Sequence, residues 1–241
     1  GLGQPKVISL LWGKLAASIL LGSWDAARHE LEQLSNAVLE AERYLSDAHV
    51  LEARSWLLHW AVFVVFKVRK GHNFLVDFCV PKETDDKDRK RGDNIDERRR
   101  REIKTRERNL QAIQNNCPWL LRYVASAVVM AGGRQSQFDE LLRIIAQEKH
   151  AYSDPVTEFL ECLRVDFDFQ KAQEKLGKCE EVLNNDYFLA DATERFMSSA
   201  RIVTFEPFCR IHRSLPIPIL AERLAVPAED AEKWIVSLIR G

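Results

Sequence analysis

Residues 7–39 read VISLLWGKLAASILLGSWDAARHELEQLSNAVL, and this stretch decides the fold class. Between Val7 and Leu21, apolar residues fall at 7, 10, 11, 15, 19 and 20, which puts most of them on one helical face. Gly22 supplies a left-handed stop, and Ser23 is a suitable cap for a second helix from Trp24 to about Leu39. Ala26 and Ala27 are small enough to let that helix approach its neighbour closely. Two antiparallel helices joined by a two-residue turn form one unit of a helical repeat.

Outward from this pair the same grammar continues. A third helix is expected from about Ser46 through Phe66, with Trp56–Phe66 apolar on nearly every side and the Trp60 ring buried. Pro118 sits where a first helical residue would, opening a helix to Met130 that Gly132-Gly133 ends. Phe138, Leu141, Leu142 and Ile145 make an i, i+3, i+4, i+7 stripe. Asp154-Pro155 caps a helix through Leu163, and Asp168 precedes another at Phe169–Leu183, with Ala172 and Leu176 at packing positions. A long helix should run from Tyr187 to about His212, kinked or split by Pro207. Gly and Pro make up about 7% of the chain, against roughly 12% on average, too few for the frequent turns of a sandwich or barrel.

The pattern breaks at Lys82–Arg108, where 21 of 27 residues are charged, 12 basic and 9 acidic. So little apolar surface cannot offset the ordering of the chain, so the segment reads as a solvated insertion, partly disordered or a lone charged helix. Arg98, Arg99, Arg100 and Arg101 are the candidate RNA contact, although acids interleave the run and a solvated loop is the blander reading. The tail changes style again. Leu215-Pro-Ile-Pro218 is extended, a short helix (Ile219–Leu224), a turn and a longer helix (Ala228–Ile239) follow, and this is the opening of a winged helix without its wing strands. Its last helix begins Ala228-Glu-Asp-Ala-Glu232, three carboxylates where DNA phosphates would approach, which excludes DNA and favours protein docking. Leu215, Ile217, Trp234 and Leu238 are the candidate protein interface.

Several functions are excluded. The net charge of −1 is wrong for a protein built to neutralise phosphates. The glycines form no dinucleotide or triphosphate cradle, and neither a GxSxG elbow nor an HExxH pair occurs, so no catalytic residue, cofactor or metal is expected. His59 reads as a hydrogen-bonded core histidine, and Cys79, Cys117 and Cys162 as small buried hydrophobes. Five cysteines without a CxxC pair fit a reducing, cytoplasmic setting. The apolar run Trp56–Val68 is too short to span a bilayer. A start without Met and a stop straight after an apolar helical pattern lead us to expect a piece of a longer polypeptide.

Helical repeats running into a terminal winged helix resemble the PCI-domain family, scaffold subunits shared by the proteasome lid, the signalosome and eukaryotic translation initiation factor three. Leu11-Trp-Gly-Lys-Leu-Ala16, Trp24-Asp-Ala-Ala27, Trp56-Leu-Leu-His-Trp60, Asp154-Pro-Val-Thr-Glu-Phe159, Phe208-Cys-Arg-Ile-His212 and Ala231-Glu-Lys-Trp-Ile-Val236 are similar to the e-subunit branch of that family. The charged insertion departs from the pattern and points to a fungal-type variant. The resemblance implies an all-α fold, a TPR/HEAT-like right-handed solenoid followed by a truncated winged helix. Its segments would be helical repeats at 1–81, the insertion at 82–108, repeats at 109–198 and the winged-helix part at 199–241. It further implies a non-catalytic scaffold, in the initiation factor or alternatively in the proteasome lid or signalosome. The implied partners are PCI neighbours, the d subunit, the small ribosomal subunit and the cap-binding scaffold protein, with no membrane.

Overall fold

A computed structural model describes residues 4–81, 96–133 and 135–211; side chains are described from Lys6 and as far as Thr204. Every described element is helical: α1 (Gln4–Leu20), α2 (Trp24–Ala41), α3 (Asp47–Val65), α4 (Gly71–Cys79), α5 (Glu97–Asn116), α6 (Leu120–Met130), α7 (Gln135–Glu148), α8 (Pro155–Arg164), α9 (Phe169–Asn184), a 3₁₀ turn (Ala190–Ala192) and α10 (Thr193–Ile211). None of these helices is long and apolar enough to cross a membrane. The chain forms two compact units, Gly1–Tyr152 and Ser153–Gly241.

In the first unit, α1 and α2 form the hairpin that opens the chain, and Gly22 takes the left-handed conformation (φ 68°) at its turn. Ser23 occupies the cap position without a side-chain hydrogen bond. Ala27 is fully buried against α1, whereas Ala26 faces solvent, so only one of the two small residues serves the close approach. Helix α3 packs on α2, α4 and α5, burying Leu57, Leu58, Ala61, Val62, Val64 and Val65. The Trp60 ring is half-buried, at 5.4 Å from Phe63, and Trp56 is 54% exposed, so α3 is covered on one broad face and not all round.

Two features depart from the sequence reading in this unit. Helix α4 has no counterpart in it, because nine residues between a left-handed Lys70 (φ 58°) and Val80 are too few to show periodicity. Gly71 opens it because nothing larger fits: a Cβ there would stand 2.0 Å from the Val65 carbonyl oxygen. Residues 97–108, expected to be solvated, are instead the first three turns of α5, which packs on α3 and α4 and buries Ile103, Arg106, Asn109, Ala112 and Ile113. The 108 boundary therefore falls within a helix. Segment 82–95 lies outside the described residues. Pro118 precedes α6 in a turn, two residues before its first helical position, and Gly132 (φ 61°) ends that helix.

The second unit follows its caps closely. Asp154 accepts from the Thr157 backbone N–H at 2.9 Å while the Thr157 hydroxyl accepts from the Asp154 N–H at 3.0 Å, a reciprocal box with Pro155 at the first turn. Asp168 accepts from the Lys171 N–H to start α9, whose Ala172, Cys179 and Leu183 are buried against α8 and α10; Leu176 is half-buried. Lys175 on α9 donates to Glu158 on α8 at 2.5 Å. The long final helix begins at Thr193, after a 3₁₀ turn that Asp186 caps through the Phe188 and Leu189 N–H groups. It runs on to Ile211, past Pro207, so the proline does not divide it.

Candidate interaction surfaces

What positions the surfaces of the first unit is a polar network sunk among four helices. Arg54 of α3 has no solvent exposure. Its Nη1 donates to Ser35 of α2 and to Asn109 of α5, each at 3.3 Å, and its Nη2 to Glu42 Oε1 at 3.2 Å. Asn109 in turn donates to the Phe78 carbonyl at 2.9 Å, and Arg106 to the Asp77 carbonyl at 2.7 Å. These carbonyls end α4, where intrahelical donors run out and the dipole is negative, so α5 supplies both the missing hydrogen bonds and a positive charge. Burial pulls the Arg54 guanidinium below its ordinary pKa, and the Glu42 carboxylate opposes that pull.

Around this centre two concave surfaces form. The first, about 620 Å³, lies between α1, the end of α2 and α3. Its walls are mostly apolar, with Ile8, Val38, Tyr44, Leu45 and Trp56 prominent and Glu52 and His49 contributing polar groups. Tyr44 is 79% exposed, Leu45 39%, and α1 adds the exposed Leu10 and Leu20 nearby in sequence. The second, about 950 Å³, is a charged trough. Glu32, Glu40 and Asp77 come from α2 and α4, Arg98, Arg101 and Arg106 from α5, with Phe74 and Phe78 stacked at 5.3 Å. Arg28 lies over the Phe74 ring.

Of the residues singled out from sequence, Leu215, Ile217, Trp234 and Leu238 lie outside the described residues. Arg98, Arg99, Arg100 and Arg101 form the first turns of α5 and point in successive directions around it. Arg98 and Arg99 pair with Glu102 at 3.4 Å, and Arg101 with Glu97 at 2.7 Å, so most of the run is engaged along its own helix. The apolar groove was missed. Its one sequence signal is Trp56, which stands out of phase with the buried series Val50, Arg54, Leu57, Leu58 and Ala61.

The chemistry of the remaining polar groups is structural. His59 is half-buried and packs edge-on against the Trp56 and Phe63 rings. Cys79, Cys117 and Cys179 are buried, whereas Cys162 is half-exposed, a departure from its expected burial. Burial pushes the Cys117 thiol up to about 11, and its Sγ donates to the Ala112 carbonyl. Among the described residues no group of three His, Cys, Asp or Glu side chains is placed to hold a metal ion.

Comparison with known proteins completes this picture. The PCI domain model matches residues 176–241. The E subunit of eukaryotic translation initiation factor 3 from Caenorhabditis briggsae is 40% identical over 238 residues, covering 98% of this chain and 68% of the relative. The Caenorhabditis elegans protein of the same name is 40% identical over 238 residues, covering 98% and 49%. The Culex quinquefasciatus protein is 39% identical over 237 residues, covering 98% and 48%. The chain thus spans about half the length of most of these relatives. They are nematode and insect proteins, so the expectation of a fungal-type variant draws no support from them. Agreement along nearly the whole chain, through both helical units and into the PCI match, means that this chain belongs to the E-type family of subunits of eukaryotic translation initiation factor 3.

Proposed function

We propose that the chain is a non-catalytic scaffold subunit of eukaryotic translation initiation factor 3. The observation that carries this reading is the 40% identity, over 98% of the chain, to a relative bearing that name. Physical features support it. Packed helix pairs locked by a buried ion pair hold their surfaces in fixed positions, and the apolar groove at Tyr44, Leu45 and Trp56 offers the sort of surface that protein partners cover. The resemblance leads us to place PCI neighbours and the d subunit among its partners, with the small ribosomal subunit and the cap-binding scaffold protein beside them in the cytoplasm.

In this reading the segment 199–241 is the winged-helix part through which neighbouring subunits join, with Leu215, Ile217, Trp234 and Leu238 as its apolar contacts. A PCI match alone is equally compatible with the proteasome lid or the signalosome, because all three assemblies use the domain. Affinity purification of the tagged protein separates them. Recovery of initiation factor 3 subunits with ribosomal proteins is the expected outcome, and recovery of lid or signalosome subunits without ribosomal proteins would overturn it.

A further inference from the structure

We propose that α5 carries an RNA-backbone contact made by Arg101, Lys104 and Arg108, and not by the consecutive run Arg98–Arg101. Consecutive helical residues point about 100° apart, so a run of four faces nearly all directions and cannot lie along one strand. Residues 101, 104 and 108 follow the i, i+3, i+7 spacing that lines one face. The stripe continues through Gln111 and Asn115, both exposed. At 1.5 Å per residue the cations extend about 10 Å and the whole stripe about 21 Å along the helix axis.

Charge accounting singles out this face. Glu97–Asn116 holds seven basic and three acidic side chains. Lys104 and Arg108 lie 3.0 and 3.8 Å from Glu42 Oε2, but the Glu42 side chain is only 3% exposed and its other oxygen already receives buried Arg54. One sunken carboxylate thus faces three cations. The helix surplus of four includes Arg98, Arg99, Arg100 and Arg106, which lie off the stripe. Along the stripe Arg101, Lys104, Arg108 and buried Arg54 stand against Glu97 and Glu42, a surplus of two positive charges. The carboxylate shared by Lys104 and Arg108 is beneath the surface while Lys104 (49% exposed) and Arg108 (32%) reach solvent, so this part of the stripe is cationic to a ligand. Arg101 (54%) shares the surface with its partner Glu97 (77%). Glu107 flanks the stripe with one negative charge and does not cancel that surplus.

Donors dominate the rest of the stripe as well. Arg108 donates to Gln111 Oε1 at 3.2 Å, which occupies the acceptor of that amide and leaves its N–H groups for a ligand. Asn115 is anchored on the Gln111 carbonyl at 2.8 Å. A row of cations followed by amides matches an acceptor-rich strand in which phosphates fix the register and sugar hydroxyls or base edges meet the amides. The choice of RNA over an acidic peptide rests on the initiation-factor reading, since RNA is the polyanion that such an assembly handles.

The test is fluorescence anisotropy of the full chain with a labelled oligouridylate across a salt series. Each phosphate neutralised in a single strand contributes about −0.7 to the slope of log K against log salt. Among the described residues Arg101 pairs with exposed Glu97 and lines the charged trough, so Arg101→Gln removes no buried contact and should reduce the slope by about 0.7 with the fold retained. The triple variant R101Q/K104Q/R108Q should reduce it by about 2, while Lys104→Arg keeps the wild-type slope. Circular dichroism checks that each variant is folded. Slopes that do not move in Arg101→Gln, or polyglutamate displacing the RNA more effectively than unlabelled RNA does, would overturn the proposal. The scaffold reading is separated by purifying the triple variant: subunit recovery unchanged with RNA affinity lost supports both, and failure of the wild type to recover subunits removes the scaffold reading but leaves the RNA result standing.

Discussion

Arg54 is the residue on which the first unit turns. Leu57, Leu58 and Ala61 around it are apolar, and its guanidinium is tolerated among them because Ser35, Asn109 and Glu42 meet its Nη groups. Its Nε meets no acceptor among the described residues, so the site is not fully satisfied. Arg54→Met should therefore cost about 3–5 kcal/mol in urea denaturation, mainly by leaving Glu42 buried beside fewer cations. Adding Glu42→Gln should recover much of that loss, because the isolated buried charge is then gone. If the single variant loses less than about 1 kcal/mol, the ion pair does not hold the helices. Cysteine behaviour is a second matter of single residues. At pH 8 the thiolate fraction of Cys79 and Cys117 is depressed by burial, and alkylation should reach half-exposed Cys162 before Cys79, Cys117 or Cys179. Peptide mass mapping after timed iodoacetamide treatment reads the order.

Helices begin and end here for local reasons, and the caps can be tested one element at a time. The Asp154–Thr157 box satisfies two orphan N–H groups at the start of α8, so Asp154→Ala should destabilise the chain by about 1 kcal/mol, measured by thermal or urea unfolding. At the start of α9, the Lys171 backbone N–H and then its ammonium hold the Asp168 carboxyl below its ordinary 3.8. A depressed carboxyl stabilises the fold above its unfolded pKa, and the contribution fades as pH falls through the lower folded value. Protection factors at the first turn of α9, which correct for the slower intrinsic exchange in acid, should fall in that acid window and not at neutral pH. Between α3 and α4, Gly71→Ala drives a methyl into the Val65 backbone; a loss of about 1–3 kcal/mol is expected from the overpacking, and a neutral outcome would show that α4 can shift away.

At the scale of the molecule, the described residues offer surfaces that a partner could cover. Its exposed large apolar residues include Tyr44, Leu45 and Trp56 around one groove, and Leu10 and Leu20 on α1. Trp56→Ser should leave the unfolding free energy within about 0.5 kcal/mol of wild type, as befits a surface position, whereas Leu57→Ala beside it should cost about 2–5 kcal/mol. Equal losses at the two positions would mean that the groove is part of the core. Circular dichroism of the chain should be dominated by helix; a β spectrum would remove the basis for the repeat, the groove and the cationic stripe alike.

Much of this was legible in the chain because helices are specified over a few residues. The stripe at Phe138, Leu141, Leu142 and Ile145, the left-handed Gly22 and the carboxylates at Asp154 and Asp168 act within one or two turns, and a sequence displays that range directly. Composition misled at 97–108 because charge density predicts solvation only when no other element supplies partners. Asp77 and Phe78 carbonyls, Arg54 and Glu42 do so from far along the chain, as the Lys104–Glu42 and Asn109–Arg54 contacts illustrate. Only the tertiary structure could decide that Arg54 is buried and Trp56 is not, since which face of a helix is covered depends on neighbours that the chain brings round. The amino acids determined helix as the class of every described element and where several of them start, as at Trp24, Pro155 and Phe169. Their assembly determined which charges are sunk, which rings are bare and which cations of α5 share one side, because burial and Coulombic pairing are properties of groups distant in sequence and adjacent in space.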